Sequence, residues 1–121
     1  MGPADFDLAS VDLVLRTTRS VRRKLDYSRS VAPELIEEFI EIATQAPTGR
    51  NAQAWRFLVV TEPEAKRWLG ELYRRAFEHY AALREADPAA EPVKATHRLL
   101  ADRLHEMPAL MEIRREYAAA Q

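Results

Sequence analysis

Two short stretches hold the side chains best suited to chemistry. The first, Arg19-Ser20-Val21-Arg22-Arg23, sets two guanidiniums three residues apart with a hydroxyl between them. That arrangement suits a phosphate, which planar guanidinium forks grip through paired, charge-assisted hydrogen bonds. It lies within a wider basic segment, residues 16–29, where Arg16, Arg19, Arg22, Arg23, Lys24 and Arg29 stand against a single acid, Asp26. A solvated basic turn has the same composition, so the pattern alone leaves both readings open. The second stretch is Ala46-Pro47-Thr48-Gly49-Arg50-Asn51-Ala52-Gln53-Ala54-Trp55-Arg56-Phe57. Its small residues let backbone N–H groups approach a flat polar ligand, and Asn51 and Gln53 offer paired donors and acceptors to a ring edge like that of uracil. An ordinary turn ahead of a core tryptophan draws on the same residues.

The elements around these stretches are legible from periodicity and punctuation. Residues 1–8 read as a flexible leader, and Leu8, Val11, Leu13, Val14 and Leu15 suit a short helix with Ser10 or Asp12 near its start. Pro33 opens the clearest helix, with Glu34, Glu37 and Glu38 near the positive end of its dipole. Leu35, Ile36, Phe39, Ile40, Ala43 and Ala46 recur at helical spacing and predict a buried stripe. Pro47-Thr48-Gly49 ends that helix, with Gly49 expected to supply the turn. Trp55 to Thr61 reads as a strand, and the run Phe57–Val60 predicts burial on both faces. Thr61 and Glu64 predict a capping pair for a long helix whose apolar face carries Trp68, Leu69, Leu72, Tyr73, Ala76, Phe77, Tyr80 and Leu83. A further helix is expected from Val93 to Glu106 and a second strand from Pro108 to Ile113, followed by an atypical polar tail over residues 114–121. One or two strands make a marginal sheet in water, so the chain is expected to be mostly helical, or completed by another chain, or a fragment.

Composition removes several function classes. The 121 residues, 47% hydrophobic and 31% charged, suit one globular domain. Having no cysteine, the chain has no disulfide, thiolate metal site or cysteine nucleophile. A net charge of -1 argues against a protein that coats nucleic acid or an acidic membrane. No apolar run approaches a membrane span and the first residues lack a signal peptide's pattern, so a cytoplasmic location is expected. His79, His97 and His105 form no zinc-type spacing, and no metal site is expected; each reads as a structural or solvated histidine. Gly49 and Gly70 stand alone and make no phosphate loop of the common nucleotide-binding motifs.

Taken together and in this order, Arg-Ser-x-Arg, a proline-led helix, Ala-Pro-Thr-Gly-x-Asn-x-Gln-x-Trp-x-Phe and an apolar strand closely resemble the nitroreductase family. The resemblance is strong from about Val11 to Val60 and extends weakly to His105-Glu106-Met107-Pro108, which looks like the family's entry into its second strand. It implies an α+β fold with a central sheet flanked by helices, FMN as cofactor, NAD(P)H as co-substrate, and a homodimer with each flavin at the interface. Arg19, Ser20 and Arg22 match the positions that bind the flavin's phosphate. Thr48, Gly49 and Asn51 match the loop that the partner subunit lays against the isoalloxazine ring, and Gln53 and Trp55 match supporting positions. Arg23, contiguous with the clamp, is either part of it or solvated. Two departures stand out. Ala54 occupies a position where the family usually has proline, and the further strands, helices and late basic residue of the family are not found after Ile113. The chain is therefore expected to be one partial nitroreductase-like domain.

The resemblance implies electron transfer from NAD(P)H to a nitroaromatic, a quinone or a similar small acceptor. The flavin carries the redox chemistry, so no side chain need act as nucleophile or base and no catalytic residue is expected. The competing reading is a truncated, inactive helical module for binding or assembly. A third, an RNA- or anion-binding protein using the Arg16–Arg29 cluster, is disfavoured by the near-zero net charge and by the lack of aromatics within that cluster.

Overall fold

Proline and acidic caps decide where the helices begin. In a computed structural model, which describes residues 6–115, α1 runs Leu8–Thr17, α2 Pro33–Ala43, α3 Pro63–Glu85 and α4 Ala95–Arg103. The strands are β1, Trp55–Val60, and β2, Leu110–Arg115, with 3₁₀ turns at Gly49–Asn51 and Leu104–Glu106. Pro33 and Pro63 both sit in a first helical turn, where a missing N–H is harmless. The cap of α3 is Glu62, whose carboxylate accepts from the N–H groups of Glu64 at 3.0 Å and Ala65 at 2.6 Å. The expected Thr61–Glu64 pair is displaced because Pro63 fixes the first helical position and makes its neighbour the cap. In α1 Ser10 lies in the first turn, as expected, and the cap is Asp7: its carboxylate accepts from the Ala9 N–H at 3.1 Å and the Ser10 hydroxyl at 2.5 Å. Leu8, the last residue of the expected leader, is already helical; residues 1–5 of that leader lie outside the described residues.

β1 and β2 pair antiparallel, from Trp55 opposite Arg115 to Val60 opposite Leu110. Arg114 and Arg115, expected in the polar tail, belong to this ladder, whose backbone bonds do not depend on side-chain polarity. The rest of that tail, residues 116–121, lies outside the described residues. Helices and an antiparallel sheet together make the mixed α+β architecture that the motifs imply.

The core is formed where α3 meets α4. Phe77, Ala81 and Ala101 are buried there, with Val93 packed against them. Gly70 is buried where α3 meets the turn at residues 104–106, and a Cβ built on it would lie 3.0 Å from the Cβ of His105. A larger residue would push that turn away from α3. The Lys66 ammonium donates to the carbonyls of Met107 at 2.8 Å and Pro108 at 3.4 Å, which ties α3 to the entry of β2. The Arg103 guanidinium lies 3.8 Å from the centre of the Tyr27 ring and pairs with Glu106 at 2.5 Å, so it docks the basic segment against the end of α4.

Three expected burial patterns are not met within this single chain. In α2 only Ile36 of the expected stripe is buried, while Leu35 and Phe39 are 41% and 52% exposed. β1 is half-covered rather than buried on both faces, with Leu58 49% exposed. On α3, Phe77 is buried but Trp68 is 63% exposed. The periodicity is helical in α2 and α3 and the composition strand-like in β1, but among the described residues no element fully covers those faces. Hydrophobic spacing specifies a face, and the cover must be supplied separately.

Candidate functional site

The basic segment after α1 is irregular in backbone conformation, and its side chains separate. Asp26, its single acid, turns inward on the segment: the Ser28 N–H and hydroxyl donate to it at 3.0 and 2.6 Å, and Arg29 lies 3.9 Å away. The hydroxyl of Ser28, followed by its N–H, holds the Asp26 carboxyl below its ordinary value. Asp26 is thus engaged with its own turn. Arg19 donates to the Thr18 carbonyl at 2.7 Å. Ser20, Arg22 and Arg23 instead line a polar cavity of about 210 Å³ together with Lys94, Thr96 and His97 from the start of α4. Arg22 and His97 also form part of a neighbouring cavity of about 280 Å³ walled by Tyr73, Phe77, Tyr80 and Leu100.

The second stretch forms a loop held by its own hydrogen bonds. Between α2 and β1, the N–H of Gln53 donates to the Thr48 hydroxyl at 3.2 Å, and the Gln53 amide donates to the Asn51 side-chain carbonyl at 2.7 Å. Backbone bonds from Asn51 to Thr48 at 3.0 Å and from Ala52 to Gly49 at 3.1 Å complete it. Arg50, Asn51 and Gln53 adopt left-handed conformations, with φ of 56°, 54° and 49°. Gly49, expected to supply the turn, has no positive φ; the reversal falls on the residues after it. A Cβ at Gly49 would meet nothing within 4 Å, so the space over the loop is open. Such strained, non-glycine backbone concentrates at functional sites, where surrounding contacts hold it in place. Thr48 and Gly49, with Ala52, Ala54 and Trp55, line one side of a cavity of about 520 Å³, and Ile113, Arg114 and Arg115 of β2 line the other.

The seven site residues expected from sequence therefore divide. Ser20 and Arg22 share one cavity, Thr48 and Gly49 share another, Asn51 and Gln53 bond to each other, and Arg19 faces its own backbone. The cavities lined by the two motifs have no residue in common within one chain. Lys94, Thr96 and His97 were not legible as site residues, because nothing in local spacing relates them to a turn more than seventy positions earlier. The sequence signal nearest to them is Lys94 itself, a cation at the start of a helix, where the dipole favours an anion. Among the described residues no group of histidines and carboxylates is placed to hold a metal ion, and no helix is long and apolar enough to cross a membrane.

Comparison with known proteins places this sequence in a family. The family model described as "Nitroreductase family" matches residues 15–121. The Bacillus subtilis protein named "Putative NAD(P)H nitroreductase YdgI" is 41% identical over 59 residues, 49% of this chain and 28% of that protein. A Thermus thermophilus protein named "NADH dehydrogenase" is 44% identical over 54 residues, 44% of this chain and 25% of that protein. The matched stretch thus spans about a quarter of the length of these relatives. No solved structure gives a significant match.

Proposed function

This chain belongs to the nitroreductase family, and we propose that it serves an FMN-dependent oxidoreductase that carries electrons from NAD(P)H to nitroaromatic, quinone or similar acceptors. The names of the two relatives, which refer to NAD(P)H nitroreductase and NADH dehydrogenase, support the electron-transfer class. The single observation that carries the reading is the placement of Ser20 and Arg22 in a polar cavity whose lining contains no carboxylate. That donor set fits a phosphate and would repel a cation. The loop fits a planar ring by a different test: an open face over Gly49, an Asn51–Gln53 amide pair, and small side chains at Ala52 and Ala54. When bound, FMN supplies the two-electron redox chemistry; the protein binds, orients and shields it.

On this reading Arg19, Ser20 and Arg22 hold the phosphate, and Thr48, Gly49, Asn51 and Gln53 of a second copy flank the ring. Arg19 must then release the Thr18 carbonyl to reach the anion. Residues 1–121 act as one nitroreductase-like unit in a cytoplasmic homodimer. The two motifs line cavities that share no residue within one chain, an arrangement that suits a ligand held by one copy and flanked by the loop of another. The exposed apolar residues of α1 and α2 also suit an inactive assembly module, and flavin binding separates the two readings. Purified protein should absorb as a flavoprotein or take up added FMN. Replacing Arg19 and Arg22 together by alanine should weaken FMN by at least about a hundredfold, each charged hydrogen bond contributing about 1.5–3 kcal/mol where water is excluded. A colourless protein that FMN cannot reconstitute would favour the assembly module, and unchanged affinity in the double variant would remove the phosphate assignment.

A further inference from the structure

Three cations converge beside Ser20 without a described acidic partner. Arg22 and Arg23 come from the turn after α1, and Lys94 from the residue preceding α4. The ion pairs described in this protein engage Arg29, Arg74, Arg75, Arg98, Arg103 and Arg114, and none of these lines the cavity. Its lining is completed by two hydroxyl residues, Ser20 and Thr96, and by His97. Acids outnumber bases by one in the whole chain, so carboxylates are not scarce; they are simply elsewhere. Like charges brought together without a counter-ion repel, and a bound anion reverses the sign of that energy. Arg22, Thr96 and His97 are partly buried, which weakens screening by water and strengthens their hold on an anion.

We propose that Lys94 and His97 complete, with Ser20, Arg22 and Arg23, a single phosphate-monoester site, so that α4 supplies anion ligands which the Arg-Ser-x-Arg segment lacks alone. The inference rests on the reading that this segment grips the flavin phosphate, and it adds two residues from a distant element. It also assigns Arg23 to the clamp rather than to solvent. A polar cavity of about 210 Å³ accommodates a phosphate group with its first ester carbons. Lys94 thus discriminates between FMN and riboflavin, which share a ring and differ by the phosphate.

The test uses the full chain and two flavins. FMN and riboflavin are titrated by fluorescence quenching into wild type, Lys94→Met, His97→Gln and Arg22→Ala, with circular dichroism confirming that each variant is folded. Lys94→Met should weaken FMN by about tenfold, in line with the loss of one charged hydrogen bond, and leave riboflavin unchanged within twofold. His97→Gln should weaken FMN by about threefold. FMN affinity unaltered in Lys94→Met while Arg22→Ala loses it would overturn the role of Lys94 and leave the flavin reading standing. Equal losses for FMN and riboflavin in Lys94→Met would also overturn it, since the residue would then act on the fold and not on the phosphate. If wild type binds no FMN, the flavin reading fails and inorganic phosphate becomes the probe. Chemical-shift changes at Arg22, Lys94 and His97 in that titration would support the anion site, and their absence would dismiss it.

Discussion

The loop between α2 and β1 is close to energetic balance, and Thr48 is where that balance can be tipped. Three non-glycine residues, Arg50, Asn51 and Gln53, are held in left-handed conformations, at about 1–2 kcal/mol each and somewhat less for asparagine. Opposing that strain are four hydrogen bonds: Gln53 N–H to the Thr48 hydroxyl, Gln53 to Asn51, and two backbone bonds. Each has a net value of about 0.5–1.5 kcal/mol, so strain and bonding are of similar size. Thr48→Val removes only the hydroxyl, because Thr48 has φ of -124° and ψ of 152°, an extended conformation that valine favours. Losing about 1 kcal/mol should lower the population of this loop conformer about threefold to fivefold. If the flavin ring lies against the loop, FMN affinity should fall by the same factor. Adding Arg50→Gly relieves left-handed strain at one position and should restore part of the loss. Fluorescence titration with FMN gives the affinities, and amide-to-Hα couplings at Arg50 and Asn51 report the backbone directly. Unchanged couplings in Thr48→Val, or a further loss of affinity on adding Arg50→Gly, would refute the claim that the hydroxyl holds a strained loop ready.

Two other perturbations probe the frame that carries the site. Gly70→Ala should be nearly neutral in urea denaturation, since a helix-propensity gain of about 1 kcal/mol offsets a tight contact with His105, whereas Gly70→Val should destabilise by about 1–3 kcal/mol. The Glu62 carboxyl lies below its ordinary value of 4.5, chiefly through the N–H groups of Glu64 and Ala65. Being depressed in the folded state, it contributes stability that is fully present above pH 4.5 and is lost as pH falls through the folded value. Glu62→Gln should therefore flatten the acid side of a plot of melting temperature against pH, and an acid slope identical to wild type would count against this cap.

What the sequence revealed and what it concealed divide by range of interaction. Pro33 and Pro63 marked helix starts because their effect is local and covalent. The strand at Trp55–Val60 was legible for the same reason: β-branched and aromatic residues bounded by turn signals specify their own backbone. The cap at Glu62 was missed because Thr61 offers an equally good side chain one residue earlier, and only the fixed position of Pro63 decides between them. Arg114 and Arg115 looked like tail because their side chains are polar, yet their places are set by pairing with Arg56 and Trp55. The cavity at Lys94 and His97 was invisible in the same way, since α3 and its connection to α4 must fold before those residues meet Arg22. Local chemistry identified the motifs; long-range packing chose their neighbours.

Surface area gives the two-copy reading its physical scale. The 13.9 kDa chain exposes 10514 Å², whereas a compact monomer of that mass is expected to expose about 6,700 Å². Exposed apolar side chains contribute to this surface: Leu8, Leu13, Val14 and Leu15 on α1, Phe39 and Ile42 on α2, and Leu58 and Ile113 on the two-stranded sheet. A large obligate interface removes about 1,000–2,500 Å² from each partner, which is less than the excess. A homodimer that brings one copy's loop to the other's phosphate cavity would thus cover a substantial part of this surface, and further cover is needed for the rest. On the proposed reading, site completion and burial make the same demand on this chain. The faces that lack a partner belong to α1, α2 and the sheet, and the Arg-Ser-x-Arg segment and the Thr48–Gln53 loop are the connections that join them. An arrangement that buries these faces would also confine both connecting segments, lowering the local dielectric around Arg22 and limiting the loop's freedom to relax.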